Sequence, residues 1–401
     1  MKIVIIGGGI AGSVLSVLLS RLGHDVHIFE AHPPAEEDVG YFLNLASNGI
    51  HILRELDLWD EERLDAHRMP RMVFRNGRGK RLGVVANGTV DADGTTSVTV
   101  KRAALHRLLI ESAQAQGVSV HWERRAIHVV AEGDEVTAVF EDGSRVSAEI
   151  LIGADGVHSK TRAFVSPNAP EPGYTGILSV AGYVMSGGFE PTPDEMQMLF
   201  GRHAFFGHLV RDDGQVYWFA NVAAQESEFG DLLERSSRLW KDELTALFVD
   251  DDPRVAEIIE ATTSPIGAYP IYDIGTVPRW SRHRAVLLGD AAHATSPNAG
   301  QGASMALEDA MILGKCLRDE SDHQVAFANY ERLRRRRAER VVAYSRKLGD
   351  NKAISPVAAW FRDLFMPIAL KFFASPSAQD WLYSYRPTWQ QSVSDQLAEQ
   401  E

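Results

Sequence analysis

The sequence predicts an α/β protein with a strand-rich second region and a helical C-terminus, on three observations. A β-branched run, "KIVII", leads into "GGGIAG" and then into a helical apolar pattern. A second apolar run, "RAVLLG", leads into "GDAAHATSPNAGQG" and another helical pattern. Between them, much of 118–222 alternates short strands with turns. A parallel strand buried on both faces reads as a continuous apolar run, as "KIVII" does. Strand, glycine turn, helix and second strand together make a Rossmann-type unit with a right-handed crossover.

The elements follow in order. "SVLSVLLSRLG" has apolar residues at helical spacing and ends at Gly23, and "DVHIFE" is the second strand. Residues 44–58 read as a helical region, and "RMVFRNGRGKRLGVV" as a hairpin. "KRAALHRLLIESAQAQG" is a strong helix, and strands follow to Gly153. "FFGHLV" and "VYWFANV" flank a turn at 211–215 and form a second hairpin. Two helices are expected over 229–260 and a long Arg-rich helix over 323–347. Segments 1–72, 100–172 and 281–345 are expected to form one discontinuous domain. Segments 73–99 and 173–280 form a second, and 346–401 a C-terminal helical segment.

Composition narrows the function. The 401 residues carry 54 acidic and 41 basic side chains, a formal charge of -13, which argues against nucleic-acid binding. The single cysteine, Cys316, excludes an intramolecular disulfide, a cysteine-rich metal site and a dithiol redox pair. No metal is expected, and a reducing cytoplasm fits. The first apolar run, Ile3 to Ile6, is too short for a leader, and no run approaches the ~20 residues of a spanning helix.

Three motifs carry chemistry. Gly7, Gly9 and Gly12 fit G-x-G-x-x-G between a strand and a helix. Gly7 permits the tight turn, Gly9 lets backbone N–H groups approach a pyrophosphate, and Gly12 lets helix pack on sheet. Glu30 ends the second strand, where a carboxylate binds ribose hydroxyls. In "ILIGADGVHSKTR" a strand delivers Asp155 and Gly156 to a loop; Ser159 is placed to cap the next helix, and Arg162 to pair with Asp155 or reach phosphate. In the third motif Asp290, at a strand end, offers a carboxylate to ligand hydroxyls. Pro297 fixes the turn, and Gly300 and Gly302 expose N–H groups at a helix start that favours an anion. His293 reads better as a structural histidine than as a ligand contact.

"GGGIAG" with Glu30, "GADGVHSKTR" and "GDAAHATSPNAGQGASMALEDA" resemble, in order and spacing, the three fingerprints of single-component FAD-dependent aromatic monooxygenases, the para-hydroxybenzoate hydroxylase-like flavoproteins. The resemblance covers about residues 1–345. It implies a GR2-like FAD-binding domain of the para-hydroxybenzoate hydroxylase fold, with a β-sheet substrate domain and C-terminal helices. It implies that Gly7, Gly9, Ile10, Ala11, Gly12 and Glu30 hold the ADP half of FAD, and that Arg102 lies near the phosphates. It links Asp155 and Gly156 with FAD and NAD(P)H, gives Asp290 ribitol or pyrophosphate-side groups, and sets Pro297, Gly300, Gln301 and Gly302 beside the flavin ring. The implied chemistry is reduction of FAD by NADPH or NADH, then oxygen transfer through a flavin C4a-hydroperoxide to an aromatic or polycyclic substrate, by hydroxylation or epoxidation. A halogenase or reductase on the same frame is the enzyme alternative, though a Trp-x-Trp-x-Ile-Pro signature is absent. A non-catalytic flavin-binding protein is the other.

For the substrate, pairing about the 211–215 turn is expected to put Phe206, His208, Phe219 and Asn221 on one face, opposite Leu209 and Trp218. His208 is the one candidate acid, base or anchor. Tyr183 is a further pocket candidate, and Asn44 sits where family members line the flavin edge. "YERLRRRRAER" reads as a solvated helix face pairing with Glu331 and Glu339. The apolar tail around Trp360, interrupted at Pro367, is expected to pack across the domains rather than insert in a membrane. A monomer or homodimer is expected.

Overall fold

In the computed structural model, which describes residues 1–34, 41–226, 232, 235–349, 356–373 and 376–399, the first strand Lys2–Ile6 lies inside a six-stranded sheet. Its parallel neighbours are Asp25–Phe29 and Ile150–Gly153. Ser119–His121 forms one edge, and Ala285–Leu287 with Ser281–Arg282 the other. Ile3, Val4 and Ile5 are wholly buried, as a strand covered on both sides requires. Helices Ile10–Arg21, Arg102–Ala115 and Gly302–Asp319 pack together on this sheet, and a three-stranded antiparallel sheet spanning Ala126–Glu132, Glu135–Phe140 and Arg145–Ala148 also packs against it. Three distant stretches of chain therefore build one frame.

The seven-stranded sheet runs, edge to edge, through Gly267–Asp273, Gly173–Val184, Val216–Ala223, Ala204–Val210, Glu195–Phe200, Arg71–Asn76 and Arg81–Ala86. Helices Ser237–Leu247 and Pro253–Glu260 cover its outer face, where Phe206, Trp218, Trp240 and Ile258 share one buried cluster. The inner face carries Tyr183, Met196, Leu209 and Tyr217, closed by Met69 and Phe42. The opening of the helical stretch expected over 229–260 lies outside the described residues.

Two expectations are corrected. The helix after the second strand is Ser47–Glu55, and Asn44 instead belongs to strand Phe42–Leu45, paired with Val98–Lys101. A four-residue strand is too short to show its period against a following helix. Pro367 does not interrupt the tail, for helix Pro356–Phe373 runs through it. Tertiary contacts outweigh the lost hydrogen bond: Arg362 stacks on Phe200 at 4.5 Å, Asn76 donates to Asp363 at 3.0 Å, and Leu370 lies against Gly83.

The last residues form a strap. Arg318 stacks under Trp389 at 4.6 Å, Trp389 N–H donates to Glu55 at 3.1 Å, and Val393 N–H donates to Asp319 at 2.9 Å. The buried Lys315 Nζ donates to Gln396 at 2.8 Å. Among the described residues no helix is long and apolar enough to cross a membrane.

Candidate active site

The first glycine turn is forced by sterics. Gly7 has φ +101°, and a Cβ there would stand 2.2 Å from the Ala154 carbonyl oxygen. A Cβ on Gly12 would stand 2.2 Å from the Gly7 oxygen, so the helix needs Gly12 to close on the strand. Gly9 meets nothing within 4 Å and begins helix Ile10–Arg21 with no side-chain cap. Its free N–H groups and positive dipole end thus face open space. Glu30 closes the turn from below, accepting the Gly8 N–H at 2.8 Å and the His32 N–H at 3.0 Å. His106 donates from Nε2 to the Gly8 carbonyl at 2.8 Å. Arg102, exposed at the start of its helix, donates its backbone N–H to Tyr41 at 2.9 Å.

The second motif is organised by Asp155. One of its oxygens accepts the Lys160 and Thr161 N–H groups at 2.9 and 3.0 Å, and the other the Ser159 hydroxyl at 2.5 Å. Ser159 caps helix Lys160–Val165 through the Arg162 N–H. Arg162 does not bond Asp155; its guanidinium donates to the Val157 and Ala291 carbonyls at 2.6 and 3.1 Å, which ties this motif to the third. A buried guanidinium with two carbonyls in reach is satisfied without the carboxylate, which is spent on N–H groups. Gly156 turns with φ +74°.

The third motif departs slightly from its expected form. Its strand ends at Leu287, and Asp290 opens a helical turn, Asp290–His293. Asp290 is accessible to water yet surrounded by protein, as at the floor of a narrow cleft. That crowding raises its carboxyl pKa, while His293 and Arg102 pull it down. Pro297 is exposed at the start of the short 3-10 turn Pro297–Ala299. Gly300 follows with φ +61°, and Asn44 Nδ2 stands 2.9 Å from where its Cβ would be. Helix Gly302–Asp319 then starts with no side-chain cap. Gln301, almost wholly buried, accepts from Asn48 at 3.1 Å.

Behind this helix start lies a charge network that sequence reasoning missed. Glu308, Asp309 and Arg334 are wholly buried. Arg334 donates from Nε to Asp309 at 2.7 Å and ion-pairs with Glu308 at 2.7 Å, and Arg337 donates to Glu308 at 2.7 Å. His293 meets Asp309 at 2.5 Å, which also accepts the Gly289 N–H at 3.1 Å. Burial alone would raise the Asp309 pKa, but His293 and Arg334 hold it down to about 2. The Arg-rich run is therefore only partly a solvated face. Arg335 pairs with Glu331 and Glu339 as expected, while Arg334 and Arg337 turn inward to "ED". Like residues in a row carry no mark of which side faces the core; the matching "ED" pair was the available signal.

The substrate-side face is also corrected. Phe206 pairs with Ala220 and His208 with Trp218, so Phe206 and His208 lie on the outer face, under the helices. Phe219 and Asn221 lie on the inner face, opposite Gly207 and Phe205. The turn has an odd number of residues, and counting its register one residue off swaps faces. His208 is buried, with neither ring nitrogen bonded among the described residues, and burial pushes its pKa down to about 3. Tyr183 is buried in the inner cluster, 4.8 Å from Tyr217. Strand Phe42–Leu45 links face and cleft: Phe42 meets Phe219 at 6.1 Å, and Asn44 abuts Gly300.

An FAD-binding-domain family model matches residues 1–345. The chain belongs to the FAD-dependent aromatic monooxygenases. It is 33% identical, over 85% of its length and 89% of the relative's, to 6-hydroxynicotinate 3-monooxygenase of Bordetella bronchiseptica. It is 31% identical to aurachin C monooxygenase/isomerase of Stigmatella aurantiaca, over 91% of this chain and 94% of that one. The crystal structure of Klebsiella pneumoniae HpxO with FAD and uric acid superposes with a TM-score of 0.81 at 25% identity, covering 96% of this chain and 97% of that one. This monooxygenase is an oxidoreductase that uses FAD, with NAD(P)H as the family's co-substrate. Its residues fit that cofactor: uncapped helix starts at Gly9 and Gly302, space above Gly9, and the accessible Asp290 and Arg102.

Proposed function

We propose that this monooxygenase hydroxylates an aromatic or heteroaromatic small molecule, using O2 and NADPH or NADH. The observation that carries the reading is the strand Phe42–Leu45, which brings the Gly300 turn against an aromatic sheet face. In this reading segments 1–72, 100–172 and 281–345 hold FAD, segments 73–99 and 173–280 hold the substrate, and 346–401 packs across them. Bound FAD supplies the electron relay from nicotinamide to oxygen and the oxygen transfer itself.

The chain's own residues bind, orient and exclude water. Gly7, Gly9, Ile10, Ala11 and Gly12 present backbone N–H groups to the pyrophosphate, and Glu30 accepts from the ribose. Arg102 neutralises phosphate, and Asp290 accepts from ribitol hydroxyls. Asp155 and Gly156 shape the neighbouring loop. Pro297, Gly300, Gln301 and Gly302 bound the ring, and the Gly302 helix start favours negative charge beside it. Asn44, Phe219 and Asn221 face the substrate, and Tyr183 stiffens the wall behind them. Asn221 supports its role through a buried Oδ1 without a partner among the described residues, an acceptor for a ring O–H or N–H. Phe206 and His208 take no part. The relatives named for hydroxynicotinate and urate support a planar, polar heterocycle. A lone, buried Cys316 supports a cytoplasmic setting.

The visible spectrum of the purified protein tests the reading, with NADPH and then NADH added anaerobically. Oxidised-flavin bands that bleach, faster with an aromatic substrate present, are the expected result. A colourless protein that FAD does not reconstitute overturns it.

A further inference from the structure

Behind Gly300 lies a pair of amides, one of them with no role so far. Asn87 is wholly buried, just beyond strand Arg81–Ala86, and its backbone N–H donates to Pro70 at 2.7 Å. Its Nδ2 lies 2.9 Å from the Met69 carbonyl and 2.9 Å from Asn44 Oδ1. A backbone carbonyl only accepts, so Met69 fixes which end of Asn87 is the nitrogen. With one hydrogen given to Met69, the other is left for Asn44, and the Asn44 atom it meets has to be an acceptor. Asn44 Nδ2 is thereby turned the other way. It stands 3.5 Å from both Asn87 Oδ1 and the Gly300 carbonyl. Both contacts are long for hydrogen bonds, so the donor capacity of this part-exposed amide is largely unspent.

We infer that Asn87 is a positioning residue: through Asn44 it presents an N–H donor, rather than a carbonyl acceptor, to an acceptor atom of the ring at the Gly300 turn. This rests on the reading that FAD occupies the cleft bounded by Pro297 and Gly302. The polarity of that rim is thus set by the Met69 carbonyl, relayed through two amides. Without Asn87 only the long contact to the Gly300 carbonyl, at 3.5 Å, favours one of the two orientations of the Asn44 amide, although every group touching the ring is kept.

A double-mutant cycle on the full chain tests this, with FAD titrated into apoprotein by flavin fluorescence and the bound flavin's visible band recorded. Asn44→Leu and Asn87→Leu are each expected to weaken FAD about fivefold and to shift the band alike. The double variant is expected to lose no more than either single one. Asn87→Ser keeps a hydroxyl near Met69 but does not reach Asn44; it should match Asn87→Leu and guards against a variant that misfolds. A wild-type affinity and band in both Asn87 variants, or losses that add in the double variant, overturns the inference. Wild-type protein that binds no FAD at all overturns the reading beneath it instead.

Discussion

Asp290 and Asp309 sit on the same motif and have opposite surroundings. Asp290 is accessible and crowded, with a raised pKa, while Asp309 is buried and ion-paired, with a lowered one. An accessible carboxylate with no hydrogen bond or ion pair among the described residues is spare for a ligand. Asp290→Ala is expected to reduce FAD occupancy of the purified protein while leaving unfolding cooperative, read from the flavin-to-protein absorbance ratio and a urea curve. His208 makes a different prediction. Its pKa falls from 6.5 to about 3 because burial disfavours the charged ring. The fold therefore holds it neutral; its contribution is full above pH 6.5 and is lost as pH falls toward 3. At pH 5 the loss is about 2 kcal/mol. His208→Leu should narrow the stability difference between pH 7 and pH 5 and leave flavin reduction unchanged. An altered reduction rate would return His208 to the chemistry.

At the scale of elements, the helix Gly302–Asp319 serves two masters: its start borders the cleft and its middle carries Glu308 and Asp309 into the core. Removing one partner of a buried ion pair strands the others. Asp309→Asn is expected to cost about 3–5 kcal/mol, measured by chemical denaturation, because Arg334 and His293 lose their counter-charge. The parallel strands and both glycine turns were legible from sequence, since buried parallel strands read as apolar runs and tight turns demand glycine. The partners of "ED" were not, because nothing local says which arginine of "RRRR" faces inward. The hairpin strands were legible but their faces were not: the two readings of the 211–215 turn differ by one residue, and only the helices over Phe206 and His208 decide between them. Asn44 was legible as a cleft residue, but Asn87 was not, since its partner is 43 positions away.

For the whole molecule, helix Ile10–Arg21 and the Trp389–Gln396 segment meet at one helix. Trp389, Val393 and Gln396 tie the Gly302–Asp319 helix from behind, and Trp389 also reaches Glu55. A chain ended after Tyr383 leaves Lys315 buried without its amide or newly exposed. It is expected to melt several degrees lower and release FAD faster, followed by differential scanning fluorimetry and by flavin release into a filtrate. An unchanged melting temperature would show the strap to be passive. The strap also sets a timetable. Gln396 is made after Gly7, and at 5–20 residues per second roughly 20 to 80 seconds separate them. Through that interval the nascent chain carries the first glycine turn while the Gly302–Asp319 helix is unmade or untied. A chain paused before Gln396 is therefore expected to hold FAD less firmly than one whose strap is tied.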